Sequence, residues 1–407
     1  MDKRVKVLFV VRDFWQAGAQ RFAFEIDNAI NKELFDIHIL SYLDLNASTQ
    51  FTDYYYQKHL DLGSHVSFLK NIVSTPGYTR RLTNRMLNNR LSNRLLPLSI
   101  RNKINPISEG RKIDRKKLSA FIKPFDVIGW MGEYMFSLLL PIIDDDIYNK
   151  SIIHIMNAKF QGIHVYDNFP KTKHYIFASG FDDEEQVRHE FSDFEHYKTV
   201  FFPLYLETGN VINNWHFKKV ATIKKIGIFT RLDPMKPLDP FFYAFHLMLD
   251  KYANLELHIF GSGDTVKSGM QRFTEHLNIK DKVFFRGHSE NIVETAKVEK
   301  MDLVWFQGYK NRPAGYAGFD ICLSGVPQVL WDFSTADAAV ADDSLVFPMY
   351  KNLNLFIQKS VEILLDEQTA IAYSNRQFTD VVENKNMKKK IHTLENLYSD
   401  ISSDSIK

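Results

Sequence analysis

Short and almost purely apolar runs recur along the chain, and they constrain its fold more than any other feature of the sequence. The first, Val5–Val11, contains one charged residue, Lys6. Runs of this kind are typical of strands buried on both faces of a parallel sheet. We predict seven such strands in the first half of the chain: Val5–Val11, Phe35–Ser41, 65–69, 125–130, 151–156, 174–179 and 198–203. Helix-length segments separate them, which predicts a doubly wound α/β sheet.

A second set of apolar runs predicts a second sheet of the same kind. Its strands are expected from residue 225 onward and at Leu255–Phe260, 282–286, 302–306, Gln328–Trp331 and 345–347. A chain of 407 residues also exceeds what one ordinary core accommodates. We therefore predict Rossmann-like domains over 1–206 and 223–385, joined by a polar linker over 207–222. A terminal helix is predicted over 386–407, with Ile391, Leu394 and Leu397 on one face.

Composition excludes several classes of protein. An apolar share of 45% with 25% charged residues is typical of a globular protein in water. The single cysteine, Cys322, excludes an intramolecular disulfide and agrees with a reducing cytoplasm. The N-terminal apolar run is too short for a signal peptide, and Asp126, Glu133 and Pro141 interrupt the most apolar later stretch. We therefore expect a cytoplasmic protein without a transmembrane helix.

Positive charge is concentrated in one segment, residues 78–117. It holds twelve Lys or Arg and two acidic residues, a local charge of +10, whereas the whole chain carries +2. Arg80, Arg81, Arg85, Arg90 and Arg94 are among these cations. The segment has no clean apolar helical stripe, and no aromatic residue from 79 to 117 that could stack on a base, so we expect no nucleic-acid partner. A solvated insertion and a contact with an anionic membrane surface both remain open.

A glycine-containing segment, residues 311–327, lies between two of the apolar runs. Gly315 and Gly318 let the backbone approach a ligand closely, and a short helix predicted over 319–323 would direct its free N–H groups at an anion. The pattern indicates phosphate binding. The loop of residues 12–21, with Gly18, also joins a buried strand to a helix, although taken alone this pattern favours a simple strand–helix turn over a binding loop.

Together these segments resemble the donor-site signature of the retaining, GT-B-fold glycosyltransferases of family four. That family has two glutamates eight positions apart before a small-Gly-x-Pro turn. In this chain Ser324, Gly325 and Pro327 form the turn, Asp320 occupies the second glutamate position, and Arg312 occupies the first. The 12–21 loop, residues 177–182 and residues 230–236 extend the resemblance. It implies two Rossmann-like domains facing a cleft, with the acceptor on the first, the donor on the second, and the terminal helix returning towards the first.

The resemblance also assigns roles to residues. Arg231 and Lys236 would hold the donor diphosphate and neutralise the charge that builds up on the leaving group. Asp320 would accept hydrogen bonds from the ribose, although an acid near a helix start also stabilises the helix dipole. Further donor contacts are expected at Gly18, Gly261, Gly263, Gly287, His288, Ala314, Gly315 and Tyr316. Transfer would then need no metal and no cofactor besides the nucleotide-sugar substrate.

Two departures from the family pattern concern catalysis. An arginine at 312 cannot accept hydrogen bonds or stabilise a cationic transition state as the glutamate does. Asn157 stands where the family has a histidine, and His154 on the same predicted strand is expected in the core. Arg312 would bind an anionic sugar or the leaving phosphate, or the reaction would be inverting with Asp13 or Glu133 as base, or catalysis has been lost. The candidate catalytic residues are therefore Arg312, Asp320, Asn157 and Asp13.

We expect a glycosyltransferase, hexosyltransferase-like and retaining, that moves a sugar from a nucleotide-diphosphate donor to a surface-polysaccharide or lipid-linked acceptor of a bacterial cell envelope. The basic segment would place it peripherally at the inner face of the plasma membrane. The alternative is a catalytically degenerate GT-B protein that binds glycan or a partner transferase. Arg312 and Asn157 favour that alternative, whereas Arg231 and Lys236 argue against it, because a site without a donor has no need of them.

Overall fold

The computed structural model describes residues 4–47, 52–72, 115–132, 135, 147, 149–154, 175–177, 199–219, 222–232, 237–266, 268–308, 315–332, 341–342 and 346–404. These residues form two compact units. The first contains the described residues up to Phe177, those of 199–201 and those from Ile391 onward. The second contains the described residues from Phe202 to Lys390.

The first unit is built on a parallel sheet that has seven strands in the described part of the chain. They are β1 (Val5–Val11), β2 (Phe35–Ser41), β3 (His65–Phe68), β4 (Val127–Met131), β5 (Ser151–His154), β6 (Tyr175–Phe177) and β7 (Thr199–Phe201), in the order β3-β2-β1-β4-β5-β6-β7. Its helices include α1 (Gly18–Ala29), α2 (Tyr54–Asp61) and α3 (Arg115–Ile122). Each strand pairs in parallel with its neighbours, so all the strands end at the same edge.

The second unit repeats this architecture. Its described strands are β8 (Lys224–Phe229), β9 (Leu255–Phe260), β10 (Val283–Gly287), β11 (Leu303–Gln307), β12 (Gln328–Trp331), β13 (Ala341–Asp342) and β14 (Met349–Tyr350), in the order β10-β9-β8-β11-β12-β14-β13. Only β13, among these, runs antiparallel to its neighbour. The described helices of this unit are α4 (Asp239–Leu249), α5 (Met270–His276), α6 (Ile292–Val298), α7 (Gly315–Ser324), α8 (Leu353–Leu365), α9 (Glu367–Asn384) and the first turn of α10 (Met387–Asp404). The predicted class, two doubly wound parallel sheets, is confirmed.

The C-terminal part of α10 belongs to the core of the first unit. The predicted face of Ile391, Leu394 and Leu397 is buried. The ring of Tyr398 lies 6.4 Å from that of Phe9 and contacts strand β1. This helix therefore covers apolar surface of the first sheet, which stabilises it through the hydrophobic effect.

One predicted strand is wrong. Residues 346 and 347 of the predicted strand 345–347 form no strand, and the last parallel strand is the two-residue β14. Pro348 explains the shift, because proline has no N–H to donate to a ladder. Its carbonyl oxygen instead accepts from the Leu330 N–H at 3.0 Å, and Tyr350 continues the pairing from there. The helix predicted over 319–323 also begins earlier, at Gly315. Within the described residues, no helix is both long and apolar enough to cross a membrane.

His154, at the end of β5, is fully buried and lies against Phe22, with 5.3 Å between the ring centroids. Neither ring nitrogen has a hydrogen-bond partner among the described residues. Burial lowers the pKa of His154 to about 3. The histidine is therefore neutral in the folded protein, as expected for a core residue.

Acid should destabilise the first unit through this residue. An unfolded histidine is protonated below about pH 6.5, whereas His154 in the folded protein stays neutral down to about pH 3. The free energy of unfolding therefore falls as the pH falls from about 6.5 to about 3. At pH 4.5 the loss is roughly 3 kcal/mol. Urea unfolding at pH 7 and 4.5 should show that His154→Leu removes this loss, whereas His276→Ala, a change at an exposed histidine, keeps it. An equal pH dependence in His154→Leu and the wild type would contradict the assignment.

Candidate functional site

The order of strands in the second sheet defines a switch point between β8 and β11. The chain builds β9 and β10 on one side of β8, then crosses to the other side to build β11 and β12. β8 and β11 are neighbours, with Ile228 opposite Trp305. The loops that leave these two strands therefore turn in opposite directions and open a crevice at the carboxyl edge, which is where open α/β sheets bind ligands.

A small cavity occupies this crevice. It is bounded by the ends of β8 and β11, by the residues that open α4, and by the first turn of α7. Its lining residues are Ile228, Phe229, Thr230, Pro237, Leu238, Phe241, Trp305, Phe306, Gln307 and Ala317. Apolar side chains form most of the wall, and the polar groups lie at the strand ends.

Two helices begin beside the cavity, and their free N–H groups favour an anion. α4 already has a carboxylate, Asp239, in its first turn. α7 has no acidic residue in its first turn. α7 is therefore the better anion site, and its first residue, Gly315, has a φ of 67°, which glycine adopts without strain. Both Gly315 and Gly318 belong to α7, whereas the helix predicted over 319–323 would have left them in the preceding loop.

The loops that follow β8 and β9 are joined by backbone hydrogen bonds. The Thr230 N–H donates to Phe260 O at 3.0 Å, and the Leu232 N–H donates to Ser262 O at 2.9 Å. A Cβ atom on Gly261 would lie 1.7 Å from the Thr230 oxygen, and one on Gly263 would lie 2.3 Å from the Leu232 oxygen. These glycines are therefore required for one loop to pack on the other.

Arg231 lies between the two hydrogen-bonded residues of the first loop. The backbone on both sides of it is fixed by the second loop, while the residue itself is exposed. The sheet thus holds a guanidinium-bearing residue at the carboxyl end of β8, next to residues that line the cavity. Such a placement suits a charge-assisted contact with a phosphate.

The loop that follows β10 completes this edge. The Gly287 carbonyl oxygen accepts from the Gly261 N–H at 2.7 Å, and Gly287 has a φ of 79°. His288 follows it and is exposed. Gly287 thus supports the second loop as well as starting its own turn.

Helix α7 is anchored by buried side chains. The Tyr316 hydroxyl donates to the Tyr205 carbonyl oxygen at 3.0 Å, so Tyr316 fixes the helix to the segment that precedes the sheet. Asp320, in the second turn, is 8% exposed.

The same helix carries Cys322. Burial raises the pKa of the Cys322 thiol well above its ordinary value, so this thiol is protonated and unreactive.

Asp13 lies in the first unit, just after β1, and is 2% exposed. Its Oδ1 accepts from the Trp15 N–H at 3.1 Å and from the Gln20 amide at 2.6 Å. Burial raises the pKa of Asp13, against the opposing effects of the Trp15 N–H and the Arg12 guanidinium. A glutamate at position 20 would place a second carboxylate here, so glutamine at 20 fits the buried Asp13.

Gly18 is the first residue of α1, and no atom lies within 4 Å of a Cβ built on it.

Several predicted site residues lie outside the described residues: Arg312, Asn157, Lys236, Ala314, Glu133, and the basic residues Arg80, Arg81, Arg85, Arg90 and Arg94. Thr230, Gln307 and Ala317 line the cavity and were not predicted from the sequence. Their shared signal was a position at the end of a strand or the start of a helix on the carboxyl edge.

No protein-family model matches the sequence, and no curated protein matches it. The structure is similar to that of Anabaena HepE in complex with UDP and glucose, with a TM-score of 0.63 and 12% identity over 97% of this chain and 100% of that one. TarM gives a TM-score of 0.66 with 13% identity over 98% and 99% of the two chains. Sucrose-phosphate synthase from Thermosynechococcus elongatus gives 0.64 with 11% identity over 98% and 100%. At these identities the similarity concerns the fold, and the chain has the GT-B fold.

Proposed function

We propose that the protein is a glycosyltransferase that takes a sugar from a nucleoside-diphosphate donor bound by its second unit. The observation that carries this proposal is the crevice between β8 and β11, where a cavity meets the start of α7 and the loop that holds Arg231. A donor of this class has an aromatic base, a polar ribose and a charged diphosphate. The crevice offers apolar walls and positive charge from a helix start and a guanidinium, and Asp320 lies in the second turn of that helix.

UDP is the nucleotide that we infer for this donor. HepE has been crystallised with UDP and with UDP-glucose, and it shares the fold over nearly the full length of both chains. The sugar transferred would accordingly be a hexose. The resemblance of residues 311–327 to the family-four signature supports the same class of donor.

The residues would act mainly on the leaving group. As the sugar–phosphate bond breaks, negative charge grows on the diphosphate, and groups positioned around it lower the barrier. In our proposal Arg231, Lys236 and the N–H groups of α7 supply this stabilisation without a metal. Asp320 would hold the ribose. For the stereochemical course we propose retention, by resemblance, with Arg312 at the position of the family's first glutamate.

The acceptor would be a surface polysaccharide or a lipid-linked sugar, held by the first unit, and the basic segment of residues 78–117 would contact anionic phospholipid. Sedimentation with vesicles tests the membrane part. We expect binding to vesicles rich in anionic lipid and release at high salt, since exposed charges are screened. Equal sedimentation with neutral and anionic vesicles would remove this part of the proposal and leave the donor site untouched.

A panel of nucleotide sugars tests the function itself. We expect one UDP-sugar to raise the melting temperature of the full chain, because a ligand that binds only the folded state stabilises it. The same compound should be hydrolysed slowly without an acceptor, with release of UDP. Stabilisation without hydrolysis or transfer would support the degenerate binding protein, and no stabilisation by any nucleotide sugar would overturn the donor site.

A further inference from the structure

Three potential metal ligands meet in the first unit, on the half-exposed face of its sheet. Asp36 and His38 are two positions apart on β2, so they project from the same face of that strand. His65 opens the neighbouring edge strand β3, and in the register of the two strands it lies directly opposite His38. The fold therefore brings together two imidazoles and a carboxylate that are distant in sequence.

Their distances are close to those of a metal site. The His38 Nε2 atom lies 3.2 Å from Asp36 Oδ2, and the His65 Nε2 atom lies 3.8 Å from Asp36 Oδ1. All three donor atoms lie within 4.8 Å of one another. In a tetrahedral site with metal–ligand bonds of about 2.0–2.1 Å, neighbouring ligand atoms are roughly 3.4 Å apart. Small side-chain rotations would close this difference.

The Nε2 atom of His38 provides an independent indication. It is shielded from solvent, and the Oδ2 atom of Asp36 lies 3.2 Å from it. In the tautomer that carries its proton on Nδ1, the Nε2 lone pair faces this carboxylate with no hydrogen between them, which is costly. A cation shared by the imidazole and the carboxylate would satisfy both groups at once.

The third ligand can move to complete such a site. The side chain of His65 is 64% exposed, and its ring stacks on that of His38 with 4.6 Å between centroids and 30° between planes. Two nearly parallel rings do not direct their nitrogens at one point, so His65 must turn about its side-chain bonds to bind. Solvent on its outer side leaves room for that rotation and for an entering ion.

We propose that Asp36, His38 and His65 bind one divalent transition-metal ion of the zinc class, with water as the fourth ligand. Two imidazoles and a single carboxylate suit zinc, whereas calcium and magnesium prefer sites made of oxygen atoms. Lys6 is the neighbour of Asp36 on β1, and its positive charge opposes any cation, so the ion must be one that imidazoles bind strongly, as they bind zinc. The ion would join the edge strand β3 to β2.

The site lies near the amino ends of β2 and β3, opposite the carboxyl edge at which Asp13 follows β1. The ion would therefore not enter the proposed sugar transfer, and its expected effect is to stabilise the first unit. Binding would be read out as stability of the first unit and as metal content, both of which are independent of transferase activity.

Cobalt and zinc titrations of the full chain, stripped with a chelator and dialysed, test this proposal. We expect one Co²⁺ per chain with the intense visible absorption of tetrahedral coordination, displaced by Zn²⁺, and a higher melting temperature with either ion. His65→Ala and Asp36→Asn should weaken binding by at least about tenfold and remove the tetrahedral absorption. His276→Ala, which removes an exposed histidine of the second unit, should bind like the wild type.

His65→Ala changes an exposed side chain, so a circular dichroism spectrum like that of the wild type should accompany its loss of binding. Two results would overturn the site. One is the absence of tetrahedral Co²⁺ absorption in the wild type. The other is equal affinity in the wild type, His65→Ala and Asp36→Asn, which would place any bound metal on other histidines.

Discussion

Replacing Arg231 with alanine is expected to lower kcat/KM for the nucleotide-sugar donor by about 10²–10³-fold, the usual effect of losing one positioned donor to a developing negative charge. Hydrogen bonds from Thr230 and Leu232 to the end of β9 and the loop after it fix the backbone on both sides of Arg231. The Cα atom of Arg231 therefore has a defined position at the end of β8. Its charge would interact more strongly with the diphosphate as the sugar leaves. The change should therefore lower kcat as well as raise KM.

Steady-state kinetics with the donor found by the panel would measure this effect. Arg272→Ala is the matched control, because Arg272 is an exposed arginine on α5 of the same unit. Arg231→Lys should have a kcat/KM between those of the wild type and Arg231→Ala, because lysine keeps the positive charge but cannot form bidentate hydrogen bonds to a phosphate. If Arg231→Ala and Arg272→Ala had the same kcat/KM, Arg231 would have no part in donor chemistry.

Replacing Gly261 with alanine is expected to cost about 3 kcal/mol or more of folding free energy and to abolish donor binding. The added Cβ would lie 1.7 Å from the Thr230 carbonyl oxygen. Because that atom belongs to the backbone, no side-chain rotation relieves the contact. The loops after β8 and β9 must separate, which breaks their hydrogen bonds and moves Arg231.

Thermal and urea unfolding with and without the donor would measure both effects. Gly18→Ala is the control for the unfolding free energy alone, since Gly18 is itself a predicted donor contact. Its added Cβ would have no atom within 4 Å, and alanine favours the start of α1. We expect that variant to differ from the wild type by at most about 1 kcal/mol. A Gly261→Ala protein as stable as Gly18→Ala, with normal donor binding, would contradict the role of the glycine.

The strands were predictable because a strand buried on both faces is encoded by a continuous run of apolar residues. Val5–Val11, Phe35–Ser41, Leu255–Phe260 and Gln328–Trp331 were predicted at their observed bounds. The failure at 345–347 has a local cause, since β14 has two residues and follows a proline. A strand that short carries almost no periodic signal.

The candidate site was predictable in its position and less so in its construction. Strand ends and glycines marked the carboxyl edge of the second sheet. Gly261 and Gly263 are needed because the loop after β8 packs directly against their backbone. That loop lies about 30 positions away in the chain, so the contact leaves no local sequence pattern. The pairing of Gln20 with Asp13 and the meeting of His65 with Asp36 and His38 likewise depend on tertiary packing and strand register.

A crystal structure of the protein with UDP tests the central claim most directly. We predict that the diphosphate lies at the start of α7 within hydrogen-bond reach of the Arg231 guanidinium, with the uridine beside the ends of β8 and β11. UDP bound elsewhere on the chain, or a crevice that stays empty at saturating UDP, would contradict the account.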